Sequence, residues 1–320
     1  YSKQDLENME VNTKGIKSAV VIGGGLIGIE MAEMLLTRHI EVHFLVRESR
    51  FWSGVLPEED SNFIMEHFKK HHGLHMHYGE ELEEIHVDDT NSAIGITAKS
   101  GKKIDCQFVG LTAGVSPNID FIKSSEIETN RGILVNRFLE TSVKHVYAIG
   151  DCAEFTDPTP GRRPIEQVWY TGKFMGETLA HTITGNRVEY HPGYWFNSAK
   201  FFDIEYQTYG DVLSTLPEGE SKFVYQHPTE DVLLHFRFDT ATHRFIGINN
   251  FGVRLRHLVF NEWLTKEATV EEVLENLKSA NFDPEFYTTN ENDIADKFNQ
   301  QFGTNITVAK RKWWQKLIPA

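Results

Sequence analysis

The chain has 320 residues, 46 of them Asp or Glu against 32 Lys or Arg, for a formal charge of -14. That balance excludes nucleic acid as a partner, since phosphate recognition needs a basic face. Two cysteines without a CxxC pair exclude a disulfide scaffold and suit a reducing, cytoplasmic compartment, and no apolar run reaches the roughly 20 residues that span a bilayer.

Such a length accommodates two or more domains. The chain opens on Tyr1 rather than Met and shows no signal peptide, as expected of part of a longer polypeptide. Residues 1–16 are polar and read as a lead-in. A strand over 19–22 runs into Gly23-Gly24-Gly25-Leu26-Ile27-Gly28 and then a helix to about Thr37, with Ile27, Met31 and Met34 at helical spacing. A second strand covers 42–46. Pro57 starts a helix to about Lys70, with Glu58, Glu59 and Asp60 at its positive end. Short strands follow over 82–87, 93–96 and 104–109. Together, residues 17–117 form a Rossmann-like βαβ module for NAD(P)H.

Each glycine of this turn has a physical task. Gly23 permits the tight bend, Gly25 lets a pyrophosphate approach the backbone, and Gly28 lets helix and strand pack closely. Leu26 and Ile27 begin the helix, whose unpaired amides face the phosphates. At the end of the second strand, where a carboxylate would bind the ribose hydroxyls of NAD, stands Val46. Arg47 and Arg50 follow and lean towards the 2′-phosphate of NADPH, with Arg47 carrying most of the weight. In the rival reading Glu48 binds the ribose and Arg47 is solvated.

Further on, Val146-Tyr147-Ala148-Ile149-Gly150-Asp151-Cys152-Ala153 reads as an apolar strand ending on Gly-Asp. Strands around 133–135 and 145–149 and a helix near 166–183 fill residues 118–186. Residues 187–197, rich in Tyr, Trp, Pro and Gly, mark a boundary. Strands over 222–225, 232–238 and 244–250 and helices over 255–265 and 270–278 then make an α+β domain, placed at 187–303. A basic, Trp-containing tail occupies 304–320.

In order and spacing, the glycine turn and the Gly150-Asp151 segment resemble the FAD-dependent pyridine nucleotide-disulfide oxidoreductase superfamily, in particular its nitrite-reductase-like, rubredoxin-reductase-like and NADH-oxidase-like members. The resemblance covers about residues 15–280. It implies an α/β fold with an NAD(P)-binding domain, the second half of an FAD-binding domain (118–186), and a C-terminal interface domain serving dimer or partner contacts. No earlier glycine turn for the ADP half of FAD precedes Gly23, so the chain reads as lacking that N-terminal half-domain. By the same resemblance, Glu30 lies near nicotinamide and flavin as a catalytic candidate; the alternative is a carboxylate serving the helix dipole. Gly114 in Thr112-Ala113-Gly114 passes the nicotinamide ribose, Gly150 and Asp151 contact the ribityl chain and pyrophosphate of FAD, and Val168 opens the helix beside the flavin ring. Trp169 is core or flavin-facing.

The implied activity is hydride transfer from NAD(P)H to FAD and onward to an electron-carrier protein or small oxidant. Two alternatives remain: a non-catalytic NAD(P)-binding module, and a membrane-surface quinone reductase. The latter draws on Lys310-Arg311-Lys312-Trp313-Trp314-Gln315-Lys316-Leu317-Ile318, which suits an anionic surface or folds back onto its own domain. His67, His71, His72, His75 and His77 cluster densely, and His75 and His77 share a strand face, yet no Cys or well-spaced carboxylate completes a ligand set, so no metal centre is expected. His227-Pro228-Thr229 reads as a turn rather than the acid–base partner of a thiol, and Cys152 as a small buried residue.

Overall fold

A computed structural model describes residues 2–282 and 289–309. The basic segment 310–318 lies outside the described residues. The chain divides into two compact units, one made of Tyr1–Gly114 with Ser198–Ala320 and the other of Val115–Asn197.

The first unit opens with a helix where a polar lead-in was expected. α1 (Lys3–Asn12) starts from a capping box, in which the Ser2 hydroxyl accepts from the Asp5 amide and the Asp5 carboxylate accepts from the Ser2 amide. Only Met9 of this helix is buried, so hydrophobic periodicity could not reveal it. β1 (Ser18–Ile22), α2 (Leu26–Leu36), β2 (Glu41–Val46), α3 (Glu58–Phe68) and β3 (Leu74–Tyr78) follow. β4 (Leu82–Val87), β5 (Ala93–Ala98), β6 (Lys103–Asp105) and β7 (Phe108–Leu111) complete the module.

A parallel sheet of order β3-β2-β1-β7 lies at its centre. Ala19, Val20 and Val21 are fully buried, as a strand covered on both faces requires. The single strand expected over 104–109 is two. β6 closes the antiparallel β4-β5-β6 sheet, and the chain then changes sheet so that β7 runs parallel to β1.

In the second unit, β8 (Ile133–Val135) pairs in parallel with β9 (Ala153–Phe155), and α4 (Trp169–Ile183) follows. The apolar run 146–149 is not a strand; only Tyr147 bridges to Glu140. Its apolarity instead buries Ala148 among Leu139, Met175 and Leu179. α4 begins at Trp169, three residues after the expected start, because Glu166 is held outside it by Arg162 at 2.5 Å and by the Thr171 hydroxyl at 3.2 Å.

From Ser198 onward the first unit holds a five-stranded sheet of order β10-β11-β14-β13-β12, from β10 (Phe196–Phe201, whose first two residues fall in the second unit), β11 (Ile204–Gly210), β12 (Glu220–Gln226), β13 (Leu233–Asp239) and β14 (Phe245–Phe251). Only the last three strands were expected. α5 (His257–Thr265), α6 (Val270–Asn276) and α7 (Glu291–Phe302) follow. One core joins this sheet to the nucleotide module, with Phe44, Phe51, Phe63 and Phe68 packing in the same cluster as Phe201, Tyr206, Leu233 and Phe251. Among the described residues, no helix is long and apolar enough to cross a membrane.

Candidate functional site

The glycine turn sits between β1 and α2. Gly23 has φ 114°, and a Cβ there would stand 2.5 Å from the Thr112 carbonyl oxygen. Both facts demand glycine. A Cβ on Gly28 would stand 2.4 Å from the Gly23 carbonyl oxygen and 2.8 Å from Cζ of Phe44, so helix and sheet meet through its missing side chain. Gly25 differs, because the space its Cβ would fill is open. It is the N-cap of α2 and offers no side-chain cap. The first bond of the helix runs from the Ile29 amide to the Gly25 carbonyl at 3.2 Å, which leaves the amides of Leu26, Ile27 and Gly28 ahead of it. An open approach, three amides and the positive end of a helix dipole make an anion site.

Thr112, at the end of β7, holds this turn. Its hydroxyl donates to the Ile22 carbonyl at 2.8 Å and lies 3.1 Å from the Gly23 carbonyl. In sequence Thr112 is only a neighbour of Gly114; the parallel pairing of β7 with β1 is what brings it to the turn.

At the end of β2, Val46 is fully buried and packs against Gly24. Arg47 is exposed and bonds Oε1 of Glu48 at 2.8 Å, which holds its guanidinium pKa above the ordinary value. Arg50 is half-buried, and its Nη1 is a buried donor without a hydrogen-bond partner. Glu30 is exposed on α2. Gly114 has φ 110° and open space at its Cβ position.

In the second unit, Gly150 (φ 76°) begins the 3-10 turn Gly150–Cys152 and donates its amide to Sδ of Met175 at 3.2 Å. Asp151 is exposed beside it. Val168 is the N-cap of α4, again without a side-chain cap. Trp169 is 71% exposed and therefore not core.

The family described as pyridine nucleotide-disulphide oxidoreductase matches residues 2–176, more than half of the chain. The chain belongs to this family.

Members of the pyridine nucleotide-disulphide oxidoreductase family use FAD and NAD(P)H. The NAD(P)H sulfur oxidoreductase (CoA-dependent) of Pyrococcus furiosus is 26% identical over 263 residues, covering 78% of this chain and 58% of that protein. The rubredoxin-NAD(+) reductase of Alcanivorax borkumensis is 31% identical over 150 residues, covering 47% of this chain and 39% of that one. Among solved structures, the ferredoxin reductase for the CYP199A2 system from Rhodopseudomonas palustris superposes with a TM-score of 0.68 at 25% identity, covering 78% of this chain and 60% of that chain. The chain thus spans less than two thirds of the length of each.

Elsewhere in this family member, His227 belongs to a turn, its Nδ1 accepting the Thr229 and Glu230 amides at 3.2 and 2.9 Å. Cys152 is half-buried, with Sγ 3.6 Å from the Asn118 carbonyl oxygen. Cys106 is 2% exposed, and burial pushes its thiol pKa up. A buried thiol whose pKa is raised is the opposite of a redox thiolate, so Cys106 is inert.

Proposed function

We propose that the complete protein is an FAD-dependent NAD(P)H oxidoreductase passing electrons to a small redox protein. The observation that carries this reading is the glycine turn itself: two glycines closed by close contacts, a third opening onto free amides, in a chain of this family. When bound, the cofactors supply hydride transfer from nicotinamide to flavin. The chain's own work is to bind and orient. The amides of Leu26 and Ile27 hold the pyrophosphate of the pyridine nucleotide against the helix dipole. Arg50 spends its unpaired Nη1 on the adenosine phosphate or ribose, and Arg47 exchanges Glu48 for the 2′-phosphate of NADPH. Gly114 keeps the backbone clear where the nicotinamide ribose passes. Glu30 is exposed one turn into α2 and available to a bound nicotinamide.

For the flavin, Gly150 and Asp151 present a turn with open space and an exposed carboxylate, which suits the hydroxyls of a ribityl chain, with Val168 opening the helix alongside. A carrier protein as acceptor is supported by the likeness to the rubredoxin and ferredoxin reductases. The visible spectrum of the purified full-length protein tests the reading. Flavin bands bleached by anaerobic NADPH are expected. A colourless protein, or a flavin left oxidised by both NADPH and NADH, rejects it.

A further inference from the structure

We propose that His67, His71 and Asp203 form a binding site for a divalent transition-metal ion of the zinc class, stapling the nucleotide module to the C-terminal sheet. His67 lies in the last turn of α3. Beyond it the chain continues in i to i+3 turns, with the Lys70 amide on the His67 carbonyl and the His71 amide on the Phe68 carbonyl. This carries His71 one turn further along the same face. Asp203 comes from the tight connection between β10 and β11. Three atoms converge: Nε2 of His67 is 2.8 Å from Oδ1 of Asp203, Nε2 of His71 is 3.2 Å from Nε2 of His67, and Nε2 of His71 is 3.2 Å from Oδ1 of Asp203.

Zinc binds imidazole nitrogen and carboxylate oxygen at about 2.0–2.2 Å, so two tetrahedral ligands lie about 3.3 Å apart. Two edges of the triangle are already at that spacing, and the third needs only a small opening. A neutral His67 satisfies the same triangle poorly. His67 has at most one proton on Nε2, yet Asp203 and His71 both converge on it, while its Nδ1 faces a second carboxylate, Oδ2 of Asp231, at 3.3 Å. A cation takes all three lone pairs at once and leaves the Nδ1 proton of His67 for Asp231, the arrangement in which a carboxylate orients a metal-bound imidazole. Lys70 pairs with the other oxygen of Asp231 and holds it in place.

The surroundings fix the remaining ligands. His71 stacks on Phe202 with ring centroids 4.4 Å apart. Phe202 is buried and has φ 58°, a left-handed conformation that a bulky side chain adopts only under constraint. His67 is 4% exposed and Asp203 75%, so the fourth coordination position faces solvent. The ligands come from a helix of the nucleotide module and a hairpin 136 residues away, and a bound ion would tie the two together.

Protein carrying no polyhistidine tag, stripped with chelator and dialysed against zinc chloride, should retain one equivalent of zinc, and its Tm should rise with zinc concentration. His71→Ala and Asp203→Ala, both outside the core, should each lose that zinc and the Tm response while folding normally by circular dichroism. Asp231→Asn should weaken zinc binding about 10–100-fold. The double variant His75→Ala/His77→Ala should bind as the parent does. No retained zinc, zinc retained equally by His71→Ala and Asp203→Ala, or zinc lost only in the His75/His77 variant would each overturn the assignment.

Discussion

Asp60 and His235 are bonded through Oδ1 and Nδ1 at 2.6 Å, both out of contact with solvent. Asn249 donates its side-chain amide to the other Asp60 oxygen at 2.7 Å, so the carboxylate is satisfied on both sides. Asp60 stands in the first turn of α3, where the helix dipole also favours a negative charge. The three side chains link the nucleotide module to β13 and β14. Removing one member of a buried charged network leaves the others unpaired, at a cost of about 3–5 kcal/mol. Asp60→Ala should therefore lower the urea midpoint of unfolding by that equivalent, more than Asp60→Asn. A variant unfolding at the parent's urea concentration would show the network to be without consequence.

The glycine turn separates folding from binding. A methyl group at Gly28 would meet backbone oxygen and the Phe44 ring, and overpacking of this kind costs about 1–3 kcal/mol. Gly28→Ala should lower both Tm and affinity for NADPH. At Gly25 a methyl group meets nothing in the protein and projects into the approach to the amides. Gly25→Ala should leave Tm within a degree or so of the parent while weakening NADPH binding at least about tenfold, measured by calorimetry. Equal effects of the two substitutions on Tm would contradict this division.

Much of this was legible in the sequence, for identifiable reasons. β1 and β2 are apolar runs bounded by glycine and charge, and the GxGxxG spacing fixes which glycine must do what. The elements that were missed lack such periodicity. α1 buries one residue and is announced only by its capping box. β10 and β11 lie in or just after an aromatic stretch that reads equally well as a boundary. The run 146–149 is apolar yet forms no strand: it buries Ala148 and leaves Ile149 40% exposed, and sequence does not separate pairing from such local packing. Asp203 lies far along the chain from His67 and His71, so the histidine cluster looks incomplete until the β10–β11 connection folds against α3.

Arg50 offers a test of nucleotide choice. Its buried Nη1 lacks a partner in the protein, whereas Arg47 is engaged by Glu48. A hydrogen bond to a charged group contributes about 1.5–3 kcal/mol, roughly a tenfold to hundredfold change in affinity. Arg50→Ala should raise the Kd for NADPH by at least about tenfold. Glu48→Gln frees Arg47 from its ion pair and should tighten NADPH binding relative to NADH. If Glu48→Gln instead weakened NADH binding selectively, Glu48 would be the ribose ligand and NADH the preferred donor.

The imidazoles of β2 and β3 make stability depend on pH in a defined window. His77 is wedged between Nζ of Lys102, 2.7 Å from its Nδ1, and Nδ1 of His43, 3.0 Å from its Nε2. Its Nδ1 accepts from the lysine, so its proton sits on Nε2 and a second proton would have to displace Lys102. Burial first, then the charges of Lys102, His43 and His75, push its pKa from the ordinary 6.5 down to about 4, with Glu80 opposing. Between those values the unfolded chain binds a proton that the folded one refuses. Stability is therefore complete above about pH 6.5 and is lost as pH falls towards about 4. His43 is shifted the same way, again chiefly by burial, and adds to the effect. Glu140 acts in a lower window, because its bonds to Arg187 and Asn136 hold its pKa at about 2 against an ordinary 4.5, so its contribution disappears only below about pH 4.5. Comparing urea midpoints at about pH 7 and pH 5 isolates the histidines. The parent should lose stability on this step, and His77→Gln, which cannot titrate, should lose less. An equal loss in parent and variant would mean that the Lys102 contact does not hold His77 neutral in the folded protein.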